Sequence, residues 1–278
     1  MRAGLALLGL LLLAALAAPL AGAALGHDPF LPDLFSRFEP PSGSHPLGTD
    51  ELGRDLLLRL LHGARVSLTV GLLAALAATL IGTFIGLMAA WRGGVWDAVL
   101  MRLADGLLAL PALPLLVILA ALDPAMIGLP RGEASADILR IAVLLAAFGW
   151  VGVARLVRAT ALSVLARDFV RAARAMGVSE RRVLIRHVLP ELAAPIAIAT
   201  ALAVGGAVLA ESVLSFLGLG IAPPAPSWGN MLANAQELVF QAPLAAIWPG
   251  LAILLTVLGC NLVADGVARR QGFSTRGQ

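Results

Sequence analysis

Asp168 to Pro190 reads DFVRAARAMGVSERRVLIRHVLP, a polar island in an otherwise apolar chain, and its reading decides the fold. The spacing predicts two short helices with a glycine between them. In the first, Arg167, Arg171 and Arg174 recur at i, i+4 and i+7, which is one face of a helix. Phe169, Ala172, Ala173 and Met176 recur at i, i+3, i+4 and i+7 and form a second, apolar face. Gly177 stands where a left-handed residue would end that helix. Ser179 can cap the next one, with Glu180 in its first turn, and Pro190 marks a boundary near its end. A helix pair that is basic on one side and Ala/Met-lined on the other suits a groove on another protein. The spacing leaves one alternative open, a solvated loop whose arginines only fix membrane orientation.

Around this island lie 278 residues that are 59% hydrophobic and 13% charged, with a mean hydropathy of +0.91. A soluble domain cannot hide so much apolar surface; a bilayer can. All twenty basic residues are arginine. A phosphate-cradling loop of the Walker type needs its lysine, and so does a Schiff-base enzyme, so both are excluded and nucleotide hydrolysis falls to a partner. The single cysteine, Cys260, lies in an apolar run, which leaves no disulfide framework and no cysteine-rich metal site. The arginines cluster beside hydrophobic segments, so membrane topology explains the basic balance and no nucleic-acid partner is expected.

In chain order, residues 3–25 form an apolar run behind Arg2, long enough for a core that needs about 20 residues. Its Ala-Gly-Ala end also resembles a signal-peptidase site. Residues 26–65 are polar and Pro-rich, with six acidic groups from Asp28 to Asp55, and read as external. There Thr49 can cap a helix with Asp50 and Glu51 in its first turn. His45 reads as a turn residue and not a metal ligand.

Residues 66–91 run inward to Trp91 and Arg92, and a short turn follows through Gly93, Gly94, Trp96 and Asp97. Residues 103–122 run outward, where Pro111 and Pro114 free backbone carbonyls and bend the rod. Residues 123–137, with Asp123, Glu133 and Asp137, lie outside. Residues 138–154 return to Arg155 and Arg158. Residues 192–219 run outward, 220–245 form an outer loop, 246–267 return, and Arg269 to Gln278 is a cytoplasmic tail. The result is six crossings with both ends inside. Arginine placement agrees: fourteen of twenty fall inside, and only Arg37, Arg54, Arg59, Arg65, Arg131 and Arg140 outside.

Glu211 is the one carboxylate well inside a predicted span, so it should face a bundle interior, a partner helix or a watery path. A translocation or gating role and a structural hydrogen bond to a neighbouring helix both remain open. Ser215 and Phe216 follow one turn later and join it as path or gate candidates. Asp265 sits at the inner interface, either paired with an arginine or as a solvated helix end.

Four stretches carry a resemblance. Ala172-Ala173, Gly177 and Leu189-Pro190 resemble the Glu-Ala-Ala cytoplasmic loop of binding-protein-dependent ABC importer permeases, although Arg171 replaces the name residue Glu and His187 an isoleucine. HPLGTDELGRD (His45 to Asp55), SFLGLG with APPAPSWGN (Ser215 to Asn230), and WPG with NLVADG (Trp248 to Gly266) resemble the dipeptide/oligopeptide/nickel branch, as the C-type member of its permease pair.

The resemblance implies an all-α integral membrane protein of six transmembrane helices, the type I ABC importer permease fold with a cytoplasmic coupling helix. Residues 1–65 would be an N-terminal helix plus external segment, 66–268 the permease domain and 269–278 the tail. Because the branch includes a first helix, the reading favours one that is retained. Phe169, Arg171, Ala172, Ala173, Arg174, Met176 and Gly177 would form the ATPase-docking loop. Implied partners are a second homologous permease in a heterodimer, two ABC ATPases holding ATP and Mg, an external or periplasmic solute-binding protein, and membrane lipid. No cofactor is expected on this chain, which would sit in a bacterial inner (plasma) membrane. The implied cargo is dipeptides or short oligopeptides, with nickel or metallophore complexes, glutathione and opine-like solutes as alternatives.

A membrane-embedded enzyme needs convergent groups, whereas His27, His45, His62 and His187 are scattered over loops on opposite sides. A stand-alone channel or secondary transporter has no use for an ATPase-docking loop.

Overall fold

A computed structural model of the chain describes residues 1–122, 133–233, 242–270 and 272. These are mostly helical: α1 (Arg2–Leu25), α2 (Leu56–Arg92), α3 (Gly94–Ala109), α4 (Ala112–Ala120), α5 (Ala134–Leu165), α6 (Asp168–Ala175), α7 (Glu180–Val183), α8 (Leu189–Phe216) and α9 (Pro243–Arg270). Four of these helices (α1, α2, α5 and α9) and the continuous helical run Glu180–Phe216 are long and apolar enough to cross a membrane. The bent α3–α4 pair makes a sixth span if it crosses as one.

At the centre stands α2, packed on α1, α5 and α8, while α9 covers α1 and α8. The tight α2–α5 seam follows from sequence. Gly82 and Gly86 stand one turn apart, and an added Cβ would lie 2.6 Å from the Trp150 carbonyl and 2.3 Å from the Ala154 carbonyl. Lipid tails are as apolar as leucine, so helices in a bilayer associate by close van der Waals approach, which small residues permit. Ala78, Ala146, Trp150 and Ala154 fill the same seam.

The third crossing is bent, as Pro111 and Pro114 predict over residues 103–122, and the bend is a full break. Its halves, α3 and α4, meet at 83°. Proline pushes the residue before it out of the α region, and Leu110 accordingly has φ −84° and ψ 139°. Pro111 then caps α4 and Pro114 falls in its first turn, where the missing N–H is an orphan in any case. Two expectations are corrected. The helix expected in the second half of segment 26–65 begins at Leu56, as α2, and not behind Thr49. Its cap is Asp55, whose Oδ1 accepts from the Leu58 amide at 2.8 Å, while Thr49 bridges to Asp55 ahead of the helix. Pro190 does not end the second elbow helix. A π turn over Leu184–Val188, closed by Leu189 N–H to the Leu184 carbonyl, absorbs the residue that cannot donate, and the helix runs on to Phe216. Asp123, Arg131 and Arg276 lie outside the described residues, as do residues 234–241 of the loop expected over 220–245.

Candidate functional site

The elbow between α5 and α8 is built from a short helix with two unlike apolar edges. Its inward edge is Val170 and Ala173, 0% and 3% exposed, and Val170 is seated in a cluster with Val157, Val164, Val183 and Val188. Its outward edge is Phe169, Ala172 and Met176, and here Phe169 is 43% and Met176 77% exposed. The expected apolar face therefore splits: Ala173 turns to the core, and Val170, which the sequence pattern missed, joins it. At the end of α6 the Gly177 amide donates to the Arg174 carbonyl at 2.9 Å and the Val178 amide to Ala173 at 3.1 Å. With Gly177 at φ 78° this is a Schellman cap, the reason for glycine there. Ser179 stands at the next cap position without a side-chain bond.

The arginine face is organised by carboxylates. Arg167 meets Glu191 at 2.9 Å, Arg174 meets Glu180 at 2.9 Å, and Arg171 meets Asp168 at 3.8 Å. Exposed pairs of this kind contribute about 0–1 kcal/mol each, so they orient the elbow more than they stabilise it. What remains is a rigid helix with protruding apolar side chains, ringed by charge and held from behind by its own valines.

The opposite end of the bundle is knotted by charge. Asp50 is buried; its Oδ1 accepts from the Leu52 and Arg54 amides at 2.9 Å, and its Oδ2 from Arg54 Nε at 2.8 Å. Arg59, on the first turns of α2, approaches the same Oδ2 at 3.2 Å. His45 Nδ1 lies 2.9 Å from Asp55 Oδ2, a placement that suits a turn residue. Asp50, Arg54 and Arg59 border a cavity of about 330 Å³ whose other walls include Ser215, Pro223 and Asn230.

Below it Glu211 is fully buried and bridges two helices. Its Oε2 accepts from Ser67 of α2 at 2.9 Å and its Oε1 from Ser215 at 2.7 Å. Ser67 Oγ in turn accepts the Trp228 amide at 3.1 Å, Ser215 Oγ accepts that of Ile221 at 3.0 Å, and Trp228 Nε1 donates to the Leu60 carbonyl at 3.1 Å. Of the two roles open for Glu211, this arrangement has the form of the hydrogen bond to a neighbouring helix. Ser215 reaches both Glu211 and the cavity, whereas Phe216 is 44% exposed on the bundle surface. Asp265 is exposed, as a solvated helix end would be.

Of the cavity's arginines, Arg54 stands in the His45–Asp55 motif, whereas Arg59 is visible in the sequence only as an outside charge. A signal was available, since Asp50, Arg54 and Arg59 precede and enter an otherwise leucine-rich helix start, where an unpaired charge would be costly. Ser67 carries no sequence signal at all.

Comparison with known proteins points the same way. A family described as binding-protein-dependent transport system inner membrane component matches residues 82–276. The chain is similar to a dipeptide transport system permease protein of Alkalihalophilus pseudofirmus, 37% identical over 84% of this chain and 73% of the relative. It is similar to an oligopeptide transport system permease protein of Mycobacterium bovis, 38% identical over 84% and 78%. A glutathione transport system permease protein of Pectobacterium atrosepticum is 38% identical over 82% and 72%.

Proposed function

The chain belongs to the binding-protein-dependent transport system inner membrane components, and from that premise we propose that it forms half of an ATP-driven import path for dipeptides and short oligopeptides. The observation that carries the reading is the elbow: Phe169, Ala172 and Met176 protrude from a helix whose Val170 and Ala173 are locked into the bundle. Three apolar side chains side by side on one exposed helix edge, ringed by charge, form a patch of the kind that protein partners cover. In the proposed orientation the elbow is cytoplasmic, both termini lie on its side, and an ABC ATPase dimer holding ATP and Mg grips it. The Asp50–Arg59 cavity faces the external solute-binding protein. A second, homologous permease completes the path. Closure of the ATPases tilts α6 and, through the packed valines and the π turn, α5 and α8, so that access alternates between the two ends.

The test is reconstitution. Vesicles holding the full assembly should accumulate labelled dipeptide only with ATP inside and binding protein outside. The ATPase should co-purify with the wild type and be lost from Gly177→Trp. Uptake by this chain without ATP would overturn the reading. Glutathione, itself a tripeptide, is the second cargo worth assaying, because a relative of equal identity is named for it. If the cognate binding protein took up glutathione but no other peptide, the cargo would be reassigned and the machinery kept.

A further inference from the structure

Three arginines of the elbow region have no carboxylate partner among the described residues. Arg167, Arg171 and Arg174 are each paired, but among the described residues no ion pair involves Arg181, Arg182 or Arg186. These three, all exposed, line one open depression of about 370 Å³ together with Ser179 and Ile185. Guanidinium groups gathered round a single hollow repel one another, and that repulsion is relieved by an anion between them. The fork of N–H donors on arginine matches the oxygens of a phosphate.

The hollow also has an apolar side. Ile185, in its wall, and Leu189, one turn further on, are 55% and 39% exposed. Both lie where the helical run Glu180–Phe216 leaves the elbow for its apolar span. An occupant that is anionic at one end and greasy at the other fits both walls. Basic side chains beside the end of a membrane helix hold anionic lipid in this way. We propose that Arg181, Arg182 and Arg186 form a headgroup site for an anionic phospholipid, whose acyl chains run along Ile185 and the exposed side of α8. The inference goes beyond the transport reading and is independent of cargo.

It is tested on the full-length chain in mild detergent, by native mass spectrometry during titration with phosphatidylglycerol, phosphatidylcholine or inorganic phosphate. Phosphatidylglycerol should bind in preference to phosphatidylcholine. Each of Arg181→Gln, Arg182→Gln and Arg186→Gln should weaken that binding about fivefold, and the triple variant should abolish the preference. Arg167→Gln should leave it unchanged, and all variants should unfold at the wild-type temperature because the side chains are exposed. Equal retention of the two lipids overturns the proposal. So does displacement of phosphatidylglycerol by equimolar inorganic phosphate, which would make the site one for soluble phosphate. Unaltered lipid binding by a triple variant that loses a co-expressed ATPase would assign the arginines to that protein instead.

Discussion

A single hydroxyl, that of Ser67, joins three parts of the chain. It donates to Glu211 on α8 and accepts the amide of Trp228 from the loop above. Ser67→Ala should therefore cost about 1–3 kcal/mol for the buried groups left unpaired, read as a lower unfolding midpoint in detergent. An unchanged midpoint would mean that neither bond matters to the fold. The helix seam makes a sharper contrast. Gly82→Ala places a methyl 2.6 Å from the Trp150 carbonyl and should cost about 1–3 kcal/mol. Gly206→Ala meets nothing within 4 Å and should stay within about 0.5 kcal/mol. Equal effects would sink the close-approach account. At this scale the sequence was only partly legible. An intramembrane carboxylate such as Glu211 stands out because it is costly in lipid, whereas Ser67 and Gly82 look like any small residue until a neighbour arrives.

Within the elbow, burial separates docking from folding. Met176→Glu adds a charge to an exposed edge, so the chain should fold and unfold as before while ATPase co-purification falls at least tenfold. Ala173→Glu buries an unpaired charge at a position only 3% exposed and should fail to accumulate in the membrane. If Met176→Glu retained the ATPase fully, the outward edge would not be the docking surface. Gly177 and the arginine spacing were readable because caps and helical periodicity are local. The π turn ahead of Pro190 was not. Whether a proline ends a helix or is accommodated depends on what anchors both sides, here the buried Val183, Val188 and Leu192.

Across the whole molecule, five long spans and one interrupted one leave the elbow and the charged cavity at opposite ends. Cys260 is buried, so single cysteines can be introduced after Cys260→Ser. Ser179→Cys and Ser36→Cys should react with an impermeant maleimide from opposite faces of sealed vesicles, Ser36→Cys from the external face. Labelling of both from one face would overturn the proposed arrangement. Long apolar runs announced the spans from sequence, since a bilayer fixes their length. The fold of residues 26–55 was obscure because it rests on Thr49 bonding Ser36 and Glu39 and on Arg37 bonding the Glu51 carbonyl, partners far apart in the sequence.

The 83° break at Leu110–Pro111 reaches beyond the protein itself. The nine residues of α4 rise only about 14 Å, under half of the roughly 30 Å of hydrocarbon that α2 can span without help. Where α4 rather than a full-length rod meets lipid, the bilayer would thin to match it. Shortening the acyl chains of the surrounding lipid should therefore relax the strain and raise the unfolding midpoint, while lengthening them should lower it. A membrane of uneven thickness would then draw the molecule toward its thin places.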